Sequence, residues 1–148
     1  MQESTRILLV DDDQDFITIN TTILETKGYQ VRSASHPQEA WQIMKEWQPH
    51  LICLDIMMPT GTEGFHFAYK IRSYEATRDV PILMISSIHD YSDFRFSPEE
   101  DGDFMPVEEF LEKPIRPEVL LQKVEHLLQK KAKSEYIKSD KGIGLKKD

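Results

Sequence analysis

Leu51-Ile52-Cys53-Leu54-Asp55-Ile56-Met57-Met58-Pro59 decides the fold of this 148-residue chain. Apolar residues in a row, without polar alternation, describe a strand buried on both faces, the kind found in the middle of a parallel sheet. The run stops at one carboxylate, and the apolar turn behind it is closed by a proline. Asp55 therefore falls at the C-terminal end of an interior strand, the edge where open α/β sheets collect ligands and chemistry.

Two further runs have the same character. Ile7-Leu8-Leu9-Val10 leads into Asp11-Asp12-Asp13, and Pro81-Ile82-Leu83-Met84-Ile85 leads into Ser86-Ser87. From about Asp13 to Lys27, Phe16, Ile19, Ile23 and Leu24 recur at helical spacing, and Gly28 is placed to stop that helix. Asp13 or Asp15 suits its N-terminus, where acids are favoured. Tyr29 to Ala34 alternates apolar and polar residues, as a strand with one wet face at a sheet edge does. Ser35 with Gln38 makes a capping-box pattern, and Pro37 fits the first turn of a helix that runs to about Trp47 and buries Ala40, Ile43, Met44 and Trp47.

Gly64 to Glu75 carries Phe65, Ala68, Ile71 and Arg72 at helical spacing. From Ile88 to Pro106 the periodicity fails among scattered aromatics and acids, with Pro98 and Gly102 as breakers, so a fourth helix there is expected to be short, shifted or irregular. Phe110-Leu111 is a short strand followed by Lys113-Pro114, and Pro117 opens a last helix with Leu120, Leu121, Val124, Leu127 and Leu128 on its buried stripe.

Strands alternating with helices predict a doubly wound α/β fold with helices on both faces of a five-stranded parallel sheet. The all-apolar strands belong inside, and the alternating second strand and short fifth strand suit the edges. That is the flavodoxin-like order 2-1-3-4-5, with strands one and three adjacent. Neighbouring strands lie roughly 4.8 Å apart. Asp11, Asp12 and Asp55 must then converge, and crowded carboxylates call for a raised pKa or a divalent cation, of which Mg²⁺ is the natural guest for oxygen ligands. Ser86 brings a hydroxyl to the same edge and Lys113 an ammonium. Carboxylate, metal, hydroxyl and lysine together suit phosphoryl transfer, in which a carboxylate can itself accept the group.

The motifs Val10-Asp11-Asp12-Asp13, Leu54-Asp55-Ile56-Met57-Met58-Pro59, Pro81-Ile82-Leu83-Met84-Ile85-Ser86 and Glu112-Lys113-Pro114 appear in that order between Val10 and Pro114. With them the chain resembles a response-regulator receiver domain of two-component signalling. The resemblance implies that Asp55 is the phospho-acceptor and that Asp11 and Asp12 hold Mg²⁺ with Asp55, the Met57 backbone carbonyl being a further ligand. It also implies that Ser86 is the switch hydroxyl, Lys113 the phosphate-contacting lysine and Phe110 the aromatic switch residue. A sensor histidine kinase or histidine phosphotransfer protein would donate the phosphoryl group. An unidentified downstream protein would read the face made by the fourth helix, fifth strand and fifth helix, and a phosphorylation-linked homodimer is compatible with this.

Residues 1–130 are expected to form the receiver and 131–148 a solvated tail. The tail is rich in lysine, which leaves contact with an acidic partner or nucleic acid as its other option. Nothing in it is large enough to be an output domain, so a stand-alone receiver is expected. The loop Thr60-Gly61-Thr62-Glu63 is one residue longer than the family's usual turn, and the span from Ser86 to Lys113 is several residues longer.

The formal charge of −8 argues against general nucleic-acid binding by the main domain. No signal-peptide core or membrane span is visible, and the expected location is the cytoplasm. Cys53, the single cysteine, reads as a small buried hydrophobe. The five histidines show no metal-ligand spacing and are expected to be solvated. Trp41 and Trp47, six apart, cannot both face the core squarely. Two other functions compete: a haloacid-dehalogenase-type phosphatase with Asp11 as nucleophile and Asp13 as acid, and an interaction module that works without phosphorylation.

Overall fold

The computed structural model describes residues 4–55, 63–86 and 107–131. Its elements are β1 (Arg6–Val10), α1 (Gln14–Thr26), β2 (Gln30–Ala34), α2 (Pro37–Glu46), β3 (Leu51–Asp55), α3 (Glu63–Ser73), β4 (Ile82–Ser86), β5 (Glu109–Glu112) and a C-terminal helix over residues 117–131. The strands form one parallel sheet in the order β2-β1-β3-β4-β5, as the strand patterns predict. The expectations for the Met57 carbonyl and the irregular fourth helix fall outside the described residues, as does the tail beyond 131.

The period of two along the strands splits the core into two layers. Leu8, Val10, Ile52, Leu54, Ile82 and Met84 face α2 and α3, meeting Ala40, Met44, Phe67, Ala68 and Ile71. Ile7, Leu9, Leu51, Cys53, Leu83 and Ile85 face the other way, onto Ile17 and Leu24 of α1 and Leu120, Val124 and Leu127 of the C-terminal helix. Each interior strand is apolar throughout because both of its faces are covered. β2 and β5 lie at the edges and are partly exposed.

Three local expectations are corrected. The buried positions of α1 are Ile17, Asn20 and Leu24, and Ile19 is exposed, since two residues along a helix turn it about 200° away from Ile17. The cap of α2 is His36, whose Nδ1 accepts from the Glu39 N–H, while the Glu39 carboxylate accepts from the Ser35 N–H. The box therefore lies one residue later than Ser35 and Gln38 suggest, with Pro37 still in the first turn. Trp47 and Ile43 are only partly buried, as is Trp41. Both tryptophans cover the core obliquely, Trp41 against Phe67, Tyr74 and the Lys70 ammonium and Trp47 beneath the Arg32 guanidinium.

At the N-terminal edge of the sheet one arginine gathers several strands of chain. Arg72, in the last turn of α3, donates to the carbonyls of Arg78 and Val80 at 2.9 and 2.6 Å and pairs with the Glu108 carboxylate. Glu108 also accepts from the Ile82 N–H at 3.1 Å, and its own N–H donates to the Ile82 carbonyl at 3.0 Å.

Candidate functional site

Strand register builds the site. Val10 lies opposite Leu54 and Asp55 opposite Ile85, so Asp11, the residue after β1, comes level with Asp55 at the end of β3. Ser86 pairs with Glu112, which puts Lys113 just beyond the end of β5. The Lys113 N–H donates to the Ser86 carbonyl at 2.7 Å, tying its backbone to the end of β4, and the Lys113-Pro114 peptide is cis.

Carboxylate oxygens of Asp11, Asp12 and Asp55 all fall within 4.8 Å of one another, Asp11 and Asp55 buried and Asp12 exposed. The Lys113 ammonium sits 2.8 Å from Asp11 Oδ2 and 3.9 Å from Asp55 Oδ2. Asp11 Oδ2 is buried and makes no aligned hydrogen bond, so this ionic contact is what compensates it. Three hard carboxylate oxygen donors within ligand distance of one another fit a small divalent cation such as Mg²⁺. Asp12 faces a cleft of about 780 Å³ that Ser35, His36, His66, Phe67 and Lys70 also line, which gives the cluster an open side.

Ser86 is fully buried at the end of β4, and Phe110 is half-buried opposite Met84, packed against the α2/α3 layer. Asp11, Asp12, Asp55 and Lys113 thus come together as the sequence predicts, with Ser86 and Phe110 on the neighbouring strands. Two further residues complete the site: Asp13, one of the two acids expected at the start of α1, and Phe16, which a reading by element misses. Asp13 donates its N–H to Asp11 Oδ1 at 2.9 Å and caps α1 by accepting from the N–H groups of Asp15 and Phe16. The Phe16 ring lies 4.6 Å from the Lys113 ammonium. The Asp-x-Asp spacing is a signal for the first, since an Asp side chain habitually accepts from the N–H two residues on. Phe16 reads only as core, because its partner is almost the length of the domain away.

Asp13 Oδ1 is occupied as a helix cap, which is a poor starting point for the acid of a dehalogenase-type phosphatase. Of the histidines, His36 and His50 are exposed as expected and also take local structural roles, His36 capping α2 and His50 Nδ1 accepting from the Arg6 N–H at 2.9 Å.

The chain belongs to the response regulator receiver domain family, whose model matches residues 7–125. It is 35% identical over 124 residues to the transcriptional regulatory protein GltR of Pseudomonas aeruginosa, covering 84% of this chain and 49% of that one. To the phosphate regulon transcriptional regulatory protein PhoB of the same organism it is 30% identical over 128 residues, covering 84% and 52%. Among solved structures it is similar to a CheY-like response regulator receiver domain protein from Methanospirillum hungatei, with a TM-score of 0.75, 25% identity and coverage of 89% and 99%. It is also similar to chemotaxis protein CheY4 of Vibrio cholerae, with a TM-score of 0.72, 26% identity and coverage of 84% and 98%. The chain spans about half the length of the curated relatives it matches. It is accordingly a receiver domain of two-component, phosphorylation-dependent signalling, a signalling module rather than a classical enzyme. Among the described residues, no helix is long and apolar enough to cross a membrane.

Proposed function

We propose that Asp55 accepts a phosphoryl group from the phosphohistidine of a sensor kinase or phosphotransfer protein. The observation that carries this is the convergence of the Asp11, Asp12 and Asp55 carboxylates beside the Lys113 ammonium. In the transfer an Asp55 oxygen forms the new P–O bond as the P–N bond breaks, and the electron pair leaves with the imidazole. Asp11 and Asp12, with Asp55, would hold Mg²⁺, which supplies neutralisation of charge on the phosphoryl oxygens. Lys113 offsets the remaining charge from the other side, and Ser86 at the end of β4 bonds a phosphoryl oxygen. The phosphoryl group adds about −1.5 to −2 charge, enough to bias a two-state surface through Ser86 and Phe110.

β5 and the C-terminal helix belong to the face that reports the switch; the fourth helix expected beside them lies outside the described residues. Relatives named as transcriptional regulators support an output in gene regulation, through a downstream partner or further sequence. The receiver comprises residues 1–130 with a lysine-rich tail beyond; the family match to residue 125 supports this. The C-terminal helix continues through Lys131, whose ammonium donates to the Asp79 carbonyl at 2.8 Å. A cytoplasmic location suits such a module.

The test is incubation with Mg²⁺ and acetyl phosphate, followed by intact-mass measurement. Addition of one phosphoryl group that is lost in Asp55→Asn supports the reading. Labelling at Asp11 instead would indicate the phosphatase chemistry, and no labelling would leave an interaction module.

A further inference from the structure

Resting on the proposed role of Asp55, we infer that Phe16 is a positioning residue that holds the Lys113 ammonium at the phosphorylation site. Asp11 Oδ1 accepts from the Asp13 N–H at 2.9 Å, and the Asp13 carboxylate accepts from the Phe16 N–H at 3.2 Å. The Phe16 ring then meets the Lys113 ammonium at 4.6 Å, and that ammonium returns to Asp11 Oδ2 at 2.8 Å. The circuit closes on the two oxygens of one carboxylate. It fixes the ring because the backbone beneath it is the capped first turn of α1, and its edge packs into the α1 layer of the core.

A lysine has a long, flexible stem and a strongly hydrated head, and rotamer freedom is what it surrenders on being held. Lys113 is held from three directions. Asp11 draws it at 2.8 Å and Asp55 at 3.9 Å, while the ring face attracts the cation without taking one of its three donors. Whatever binds the Asp11 carboxylate competes for that first contact. The ring does not, so it keeps the ammonium beside Asp55 when Asp11 is otherwise engaged. A packing role alone would be met by any apolar side chain of similar size; the positioning role needs a π face.

The test compares wild type, Phe16→Leu, Phe16→Tyr, Lys113→Ala and the double variant Phe16→Leu/Lys113→Ala, each labelled with acetyl phosphate and Mg²⁺ under single-turnover conditions. Phe16→Leu is expected to slow labelling of Asp55 about fivefold, and Phe16→Tyr to stay within about twofold of wild type. The double variant is expected to be no slower than Lys113→Ala alone, whereas a packing role would add its cost in either background. A second readout needs no labelling: the Lys113 ε-methylene proton signals of the wild-type protein are expected upfield of their free-lysine position, through the ring current, and to return to it in Phe16→Leu. Equal rates for Phe16→Leu and wild type, additivity in the cycle, or an unshifted ε-methylene in the wild type would each overturn the inference while leaving Asp55 as the acceptor. A wild type that takes no label overturns the proposed function, and the inference with it.

Discussion

Lys113 Nζ lies 2.8 Å from Asp11 Oδ2 but 3.9 Å from Asp55 Oδ2, so the site's lysine is seated on the buried acid and leans toward the carboxylate at the end of β3. The same Asp11 is one of the three carboxylates fit to hold a cation. Lysine and metal therefore compete for one side chain. Lys113→Ala is expected to tighten Mg²⁺ binding by roughly tenfold, since it removes a positive charge in contact with a ligand oxygen. Isothermal titration of both proteins with Mg²⁺ checks this, and equal affinities would refute the competition.

Three carboxylates within 4.8 Å outnumber one ammonium, so the cluster repels itself when no cation is bound. Asp55→Asn keeps the shape and removes one like charge from a buried position. In metal-free buffer it is expected to stabilise the fold by about 1 kcal/mol, and Asp12→Asn by less because Asp12 is exposed. Urea unfolding curves measure the difference; a less stable Asp55→Asn would contradict it.

The Arg72–Glu108 pair links stability to pH. Burial pushes the Glu108 carboxyl above its usual range, with Arg72 and the Ile82 N–H pulling it back. A folded-state value above the unfolded one means that the native protein holds the proton more tightly. This group's contribution is then greatest in acid and declines as pH rises through the window above its ordinary value of 4.5. In Arg72→Gln the carboxylate loses its counter-charge and the Arg78 and Val80 carbonyls lose a donor. The variant is expected to be about 2 kcal/mol less stable at pH 7.5, with the gap narrowing toward pH 4.5 as Glu108 is neutralised. Denaturant midpoints at the two pH values decide it.

Cys53 is buried in the middle of β3, where burial pushes its thiol up to about 12. It is expected to be inert to thiol reagents at pH 8 in the native protein and fully reactive in urea. The unfolded thiol ionises near its ordinary value of 9.0 while the folded one does not. Stability from this group is therefore intact below pH 9 and is lost at about 1.4 kcal/mol per pH unit above it. Comparing alkaline unfolding of wild type and Cys53→Ala isolates that slope.

The fold was legible because its signals are local. Unbroken apolar runs at 7–10, 51–54 and 82–85 could only be interior parallel strands, and the alternation in Tyr29 to Ala34 marked an edge. The acidic end of the site followed from that order, since strand neighbours fix which chain ends meet. The ring circuit through Phe16 did not, because a contact between α1 and the end of β5 leaves no periodic trace. The His36 cap was also hidden: imidazole is an uncommon N-cap, and a serine with glutamine three residues on is the commoner pattern. Ile19 is apolar and lies close to the stripe through Phe16 and Ile23, yet the helix angle sends it to solvent, which residue type alone does not reveal.

Glu108 grips Ile82 twice, through its carboxylate on the N–H and its own N–H on the carbonyl, and Arg72 locks that grip to the rim of the sheet. β4 and β5 run parallel, and this grip buckles them together at their starts. Arg72 and Glu108 thereby rivet β5 to β4 at the end of the sheet opposite the carboxylate cluster, a fixed base from which the far ends of the same two strands reach the site at Ser86 and Lys113.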